Sequence, residues 1–557
     1  MNPRNTDNKK VLYLIGLLTA AVIGMIVFVL IYGWYPLSVQ NDAWIMAGYD
    51  ESDVIQHYAG WLAFRNSPWA FPLGMAGDMA VGTGTIISFT DSIPWVAILF
   101  KLFRTILPET FQYFGIYALS CYILQSVTGY QLIYFKTENA GYSLISSILF
   151  ATAPILMERS FRHTALGSQW MILMAILIWQ KHRKQFSVRH YIHYLFLLVL
   201  AIGIHPYFLP MISVFLFLSV LEDWKRGKKR SVLRMIGILS VTAGFGVLLG
   251  VLGNGIETSR SGYGFYSMNL NALVNPSSKG EYTWSFFLKK RGQTLGNYDG
   301  FNYLGAGFLL GCFICAIEII HQRMGHVIGA WIQRNRVYVL MMVFCALFAV
   351  TNTVTLESRV LFTIPIPSQI KDLCGIFRAS SRMFYPVWYS LCAGMILFFW
   401  KFMDQLGKKR NAFLFLFLVL TIQTVDLHVC VMEKHRMMRK NASYESILND
   451  ETAASIFSEG VTLIKEDVST ARGIRTAAAA ALKQRSRLYF SVANSGNYED
   501  SEKEGKRICE EIRKNGTIHS YVIVTDQPET MSGYLPHETI RCYKSGELYF
   551  LYERPEN

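Results

Sequence analysis

Residues 11–32 read VLYLIGLLTAAVIGMIVFVLIY, 22 residues without a charged side chain. As an α-helix, such a run is long enough to cross a hydrocarbon layer of about 30 Å. In that layer the backbone must satisfy its polar groups within the segment, so the run is read as a membrane-spanning helix. Similar runs lie near 112–134, 141–157, 165–180, 191–206, 207–221, 232–252, 301–321, 337–352, 383–402 and 411–431. With the first, they predict about 11 transmembrane helices in an all-α polytopic membrane bundle. Composition agrees: 17% of residues are charged, against roughly 25% in soluble domains. The apolar core of the first run is too long for a signal peptide, and no small-residue cleavage site follows it, so it is read as a retained span.

The net charge of +14 points to a membrane rather than to nucleic acid, because the basic residues sit in short loops between spans. Residues 181–190 (KHRKQFSVRH) and 222–231 (EDWKRGKKRS) are the densest of these, and both are expected on the cytoplasmic side. Residues 86–103 carry Asp91 and Pro94 within an apolar stretch and read as an interfacial or re-entrant helix, not a span. That choice puts the N-terminus inside the cell and four outer loops on the opposite face: 33–111, 158–164, 253–300 and 353–382. It makes residues 1–434 one transmembrane unit.

After residue 435 the pattern changes. Short apolar runs at 461–464, 487–492, 520–525 and 547–552 alternate with helical stretches at 473–483 and 500–514. The alternation predicts a small C-terminal α/β domain over 435–557, outside the cytoplasm. Cys509 and Cys542 share it and could pair. It carries no glycine-rich phosphate loop, nucleophile elbow or metal-ligand spacing. Cys312 and Cys315 lie inside a span with no second pair nearby, which argues against a zinc site there.

The outer loops hold the candidate chemistry. If 53–65 is helical, Asp53, Gln56, His57, Trp61 and Phe64 share one face, with Arg65 beside it. A carboxylate base flanked by an imidazole, over an aromatic floor, suits a sugar ring; an acidic first turn on a surface helix explains the pattern equally. The 158–164 tip holds Glu158, Arg159, Arg162 and His163, either headgroup anchors or the wall of a polar cavity. His205 is polar at membrane depth before Pro206. Tyr266 and Asn269 lie in an aromatic, amide-rich third loop. Arg378 and Arg382 stand four apart where a span begins, a spacing that suits a lipid phosphate or ordinary headgroups.

At the segments Asp53-x-x-Gln-His-Tyr-x-Gly-Trp-x-x-Phe-Arg and Phe377-Arg-Ala-Ser-x-Arg-Met-Phe the chain resembles the GT-C superfamily of membrane glycosyltransferases, through a bacterial multi-pass family placed in it. The order of one span, a long outer loop with an acidic helix, an interfacial helix and a short acidic-basic tip is similar too. The resemblance implies transfer of a sugar from a polyprenyl-phosphate-linked donor to a glycan, lipid or protein acceptor outside the cell membrane. It implies Asp53 as general base or metal ligand, with a divalent cation, Mg or Mn, compatible, and Glu158 as a second acid. The second acid stands in Glu-Arg rather than in an Asp-centred motif. No Asp-x-Asp motif is present, which accords with a lipid donor. A lipid-linked saccharide flippase or a non-catalytic scaffold are the alternatives. A reporter enzyme fused after residue 435 is expected to act outside the cytoplasm; a cytoplasmic signal would mean that 86–103 spans the membrane or that another helix is miscounted.

Overall fold

The computed structural model describes residues 3–49, 53–253, 262–280, 282–493 and 498–553, with side chains from Lys9 onward. Asp50, Glu51 and Ser52 of the acidic stretch lie outside them.

The fold is mostly helical. Among the described residues, five helices are long and apolar enough to cross a membrane: Lys9–Tyr32, Ala140–Arg159, Arg230–Leu249, Ser380–Gln405 and Lys409–Asn441. A sixth span is possible only by counting Ala306–His321 and Gly325–Arg334 as one, and these are bent by 111°. Large apolar side chains such as Leu18, Leu30, Leu233 and Phe417 are more than 60% exposed. On a soluble protein, surfaces of this kind are unusual; here they are the lipid-facing sides of spanning helices, and the chain is a membrane protein. The expected eleven spans are not reached by these criteria, for two reasons. Val188–Ile202 and Arg336–Val350 have 15 residues each, short of the ~20 that a full crossing needs. Trp170–Lys184 ends in four consecutive basic residues.

The segment 86–103 is not one helix. A 3-10 turn at Ile87–Thr90 stops at Asp91, which adopts a left-handed conformation (φ 60°), and after a second left-handed residue, Ile93 (φ 53°), the helix Pro94–Lys101 begins. Aspartate tolerates this region, whereas a β-branched isoleucine is strained in it, so packing must impose the turn. Gly60 is where that packing is tightest: a Cβ there would sit 2.0 Å from Thr90 Oγ1. The Ser92 hydroxyl donates to the His57 carbonyl at 2.7 Å, and Tyr113 donates to the Ser92 carbonyl.

The 33-residue helix Lys409–Asn441 is about 50 Å long, longer than the hydrocarbon layer. It carries the chain away from the bundle to a five-stranded sheet. The strand order is Arg487–Leu488, Thr462–Lys465, Tyr521–Thr525, Leu548–Glu553, Ile540–Ser545. The first three strands are parallel and the last two antiparallel. The helices Ala471–Lys483 and Glu499–Asn515 lie between strands in the chain. Cys509 and Cys542 are both free, one buried and one exposed, so the expected pairing is not made.

This region is sewn to the first long loop. Val81 N–H donates to the Leu488 carbonyl and Leu488 N–H to the Asp78 carbonyl, so the loop makes a single parallel β-bridge, Met79 to Leu488, at the sheet edge. The alanines Ala477 to Ala481 are at most 4% exposed; their small side chains let this helix lie close against Asp53–Asn66. Lys483 pairs with Asp42 at 2.9 Å, and Asn66 donates to the Leu482 carbonyl at 2.8 Å. Arg65 braces the same loop by donating to the carbonyls of Arg104, Leu107, Pro108 and Glu109. Arg65→Ala should lower stability by roughly 1–3 kcal/mol, because charged hydrogen bonds to four partly buried carbonyls are lost. Thermal unfolding in detergent measures this, and an unchanged midpoint would contradict the bracing role.

Candidate active site

The ends of several elements converge on a buried set of charges. Arg159 closes the helix Pro154–Arg159, His163 follows in the next turn, and His205 lies between Val188–Ile202 and Phe208–Lys225. Asp299 stands in the 3-10 turn Asn297–Gly300 and Arg382 in Ser380–Phe384. His57 comes from Asp53–Asn66, and Asp91 from the left-handed turn beside it. The predicted outer loops therefore meet at one end of the bundle.

Two subsites share this region. In the first, Asp299 takes two guanidiniums. Its Oδ1 accepts from Arg159 Nη1 and Arg382 Nη2, both at 2.9 Å, and its Oδ2 from Arg382 Nε at 3.1 Å. Arg159 also donates to Tyr385 Oη at 2.9 Å, and Arg382 lies 5.0 Å from the Tyr207 ring centre. Burial would raise the Asp299 pKa, but the two guanidiniums outweigh it and hold the carboxyl well below its ordinary value. This trio carries one positive charge in excess.

The second subsite centres on Asp91. His57 Nε2 lies 3.4 Å and His163 Nδ1 3.7 Å from Asp91 Oδ2, and His205 Nε2 lies 3.8 Å from Oδ1. Burial pushes the Asp91 pKa up to about 8, with the Asp53 charge adding to the rise and Arg382 opposing it. Burial, helped by the Arg475 charge, lowers His57 to about 3. His163 links the subsites, with its Nε2 3.2 Å from Arg382 Nη2.

Asp53 stands beside these groups. Arg475, from the helix Ala471–Lys483, donates to its Oδ1 at 3.0 Å. Burial raises the Asp53 pKa, and the Arg475 and Lys279 charges work against that rise. Glu158 pairs with Arg162 one turn on, and the Arg162 charge reaches Asp53.

The structure thus gathers Asp53, His57, Glu158, Arg159, His163, His205 and Arg382 into one region, and adds Asp91, Asp299 and Arg475. The structure gives the remaining residues named from the sequence the following contacts. Trp61 donates to the Phe111 carbonyl at 2.9 Å, and Arg65 is the loop brace described above. Asn269 bonds Asn297 and the Glu357 carbonyl. Arg378 lies 5.9 Å from the Tyr266 ring centre, while the Tyr266 carbonyl accepts from Ser381 N–H at 3.3 Å. Gln56 is buried within its helix. Arg159, not Arg378, is thus the arginine that stands with Arg382. Asp91 had one signal in the sequence, a lone acid in an apolar stretch. Asp299 had none beyond its aromatic surroundings.

The Mg or Mn compatible with the resemblance has no oxygen shell at Asp53, whose carboxylate is tied to Arg475. Among the described residues, the atoms grouped as metal ligands, within 4.8 Å of one another, belong to His57, Asp91 and His163. Two imidazoles and one carboxylate do not suit Mg, which takes octahedral oxygen ligands.

Asp299→Asn should destabilise the protein by roughly 3–5 kcal/mol, because it leaves two buried guanidiniums without their carboxylate. Unfolding in detergent checks this; a loss below about 1 kcal/mol would mean the pair is solvated or compensated.

No curated protein matches the chain. Among solved structures it is similar to the archaeal oligosaccharyltransferase AglB from Archaeoglobus fulgidus, determined in complex with an inhibitory peptide and a dolichol-phosphate. The identity is 11% and the TM-score 0.37, over 97% of this chain and 74% of that one. Residues 21–428 match the family described as Domain of unknown function (DUF6311). The match spans the helical bundle and every group of the buried site except Arg475, and the chain belongs to that family.

Proposed function

We propose that the protein is a membrane glycosyltransferase that moves a sugar from a polyprenyl-phosphate-linked donor to an acceptor outside the cytoplasm. The observation that carries this reading is the Arg159–Asp299–Arg382 trio: two buried guanidiniums that share one carboxylate, within charge range of Asp91. An excess positive charge held in a low-dielectric pocket favours a phosphate monoanion. It favours it more as the sugar–phosphate bond breaks and the leaving oxygen gains charge, and preorganised charge of this kind is the larger part of most rate enhancements.

Asp53 is the general base in this reading. Its carboxylate takes the proton of the acceptor hydroxyl as that oxygen bonds to the anomeric carbon, and the lipid phosphate leaves towards Arg159 and Arg382. The pairing with Arg475 opposes the rise in pKa that burial causes and makes the C-terminal region part of the site. His163, between the trio and Asp91, orders the floor beneath the sugar. Membrane lipid surrounds the donor's chain, and the acceptor enters from the outer face.

The test is turnover of a synthetic polyprenyl-phosphate sugar by the purified protein. Asp53→Asn should lower the rate by about 10²–10⁴, measured on protein shown to be folded at the assay temperature, because the variant also loses the ion pair with Arg475. The base works only when ionised, so kcat/KM should fall as pH drops through the Asp53 pKa. Because burial raises that pKa, the acid limb should lie above the ordinary aspartate value of about 3.9. Arg475, Lys279 and Arg162 are the charges that hold it down. Arg475→Ala should therefore move the limb to higher pH. Lipid translocation without sugar transfer, or neither activity, would overturn the proposal.

A further inference from the structure

The contact between His57 and Asp91 brings a ring nitrogen to 3.4 Å from a carboxyl oxygen with no hydrogen bond between them. His57 Nδ1 lies 3.2 Å from Thr164 Oγ1, and that hydroxyl donates to the Phe161 carbonyl. When the hydroxyl proton is used there, Nδ1 carries the ring proton and Nε2 presents a lone pair. That lone pair faces Asp91 Oδ2, and neither atom has a hydrogen-bond partner, although the His57 side chain is only 1% exposed. Buried acceptors left this way are costly and rare. A cation between them removes the cost.

We propose that His57 Nε2, Asp91 Oδ2 and His163 Nδ1 form a three-ligand site for a borderline transition metal of the zinc class, with one coordination position open to the pocket. Metal–ligand bonds of about 2.0–2.1 Å in a tetrahedral site put neighbouring ligand atoms about 3.3–3.4 Å apart. The Asp91 contacts of 3.4 and 3.7 Å need little adjustment to reach that. Two imidazoles and a carboxylate with a free position form the ligand pattern of catalytic zinc rather than of structural zinc or of magnesium. Such sites give each ligand a supporting partner. Thr164 stands 3.2 Å from the His57 ring. Arg382 is a donor only, so the His163 ring proton sits on Nδ1 here; binding a metal at Nδ1 moves that proton to Nε2, which lies 3.9 Å from Asp299 Oδ1. His205 accepts the Tyr207 N–H at Nδ1, which leaves its Nε2–H facing Asp91 Oδ1 at 3.8 Å. One contact must give way: Arg382 Nη2 now lies 3.2 Å from His163 Nε2 and keeps its bonds to Asp299 instead. The site does not depend on the sugar-transfer reading, since it follows from the ligand atoms alone.

Cobalt(II) titration of the full-length protein, stripped of metal in detergent, tests this. One equivalent should bind with the visible bands of tetrahedral cobalt. Zinc should displace it, and excess magnesium should not. His163→Ala, with folding checked by its unfolding midpoint, should weaken cobalt binding more than about tenfold, the least that losing even a supporting partner costs. Thr164→Val, which keeps the buried shape, should weaken it about tenfold or more. No binding by the wild-type protein at micromolar cobalt would overturn the proposal and leave a proton as the cation between His57 and Asp91. Equal binding by wild type and His163→Ala would overturn it too, by placing the metal elsewhere. Both results are read without turnover, so they are separable from failure of the glycosyltransferase proposal.

Discussion

Asp299 is held between Arg159 and Arg382, and the organisation of the outer end of the bundle depends on that contact. Each guanidinium closes or opens a helical element, so one carboxylate ties together the tip after Ala140–Arg159, the third loop and the start of Ser380–Gln405. Burying three charges is expensive, and their attraction repays the cost only where geometry and further hydrogen bonds are good. Tyr385 and Ser381 supply such bonds here. A set of charges kept at that cost is weak evidence for stability. It is better evidence for a site that needs fixed positive charge away from water.

The C-terminal region does more than follow the bundle. It forms an isolated β-bridge with the first long loop, between Met79 and Leu488, and places a lysine on Asp42 and an arginine on Asp53. Arg475 is thus both a docking residue and the group that sets the charge state of the acid it touches.

Much of the helical architecture was legible in the sequence, because uncharged runs bounded by basic loops are governed by local rules of length and hydropathy. The ends were less so. The stretch 411–431 continues to Asn441, since a helix leaving the membrane stops being apolar without stopping being helical. The strand Ile540–Ser545 was missed because IRCYKS has neither an apolar run nor clean alternation and earns its place by pairing with Leu548–Glu553. In the site, Asp53, His57, Arg159, His163, His205 and Arg382 could be named as polar groups at helix ends. Asp91 and Asp299 could not, because their roles come from loops far apart in the chain meeting in space. Arg65 and Trp61 looked like ligand-binding groups, since nothing in a sequence distinguishes a side chain that binds a ligand from one that bonds a neighbouring carbonyl.

The most direct measurement of the central claim is a structure of the protein with a polyprenyl-phosphate bound. The account places the phosphorus within hydrogen-bond reach of both Arg159 and Arg382, with the prenyl chain running into the membrane beside Ser380–Gln405. A phosphate held instead by the basic loops at 181–190 and 222–231, with the Arg159–Asp299–Arg382 trio untouched, would contradict it.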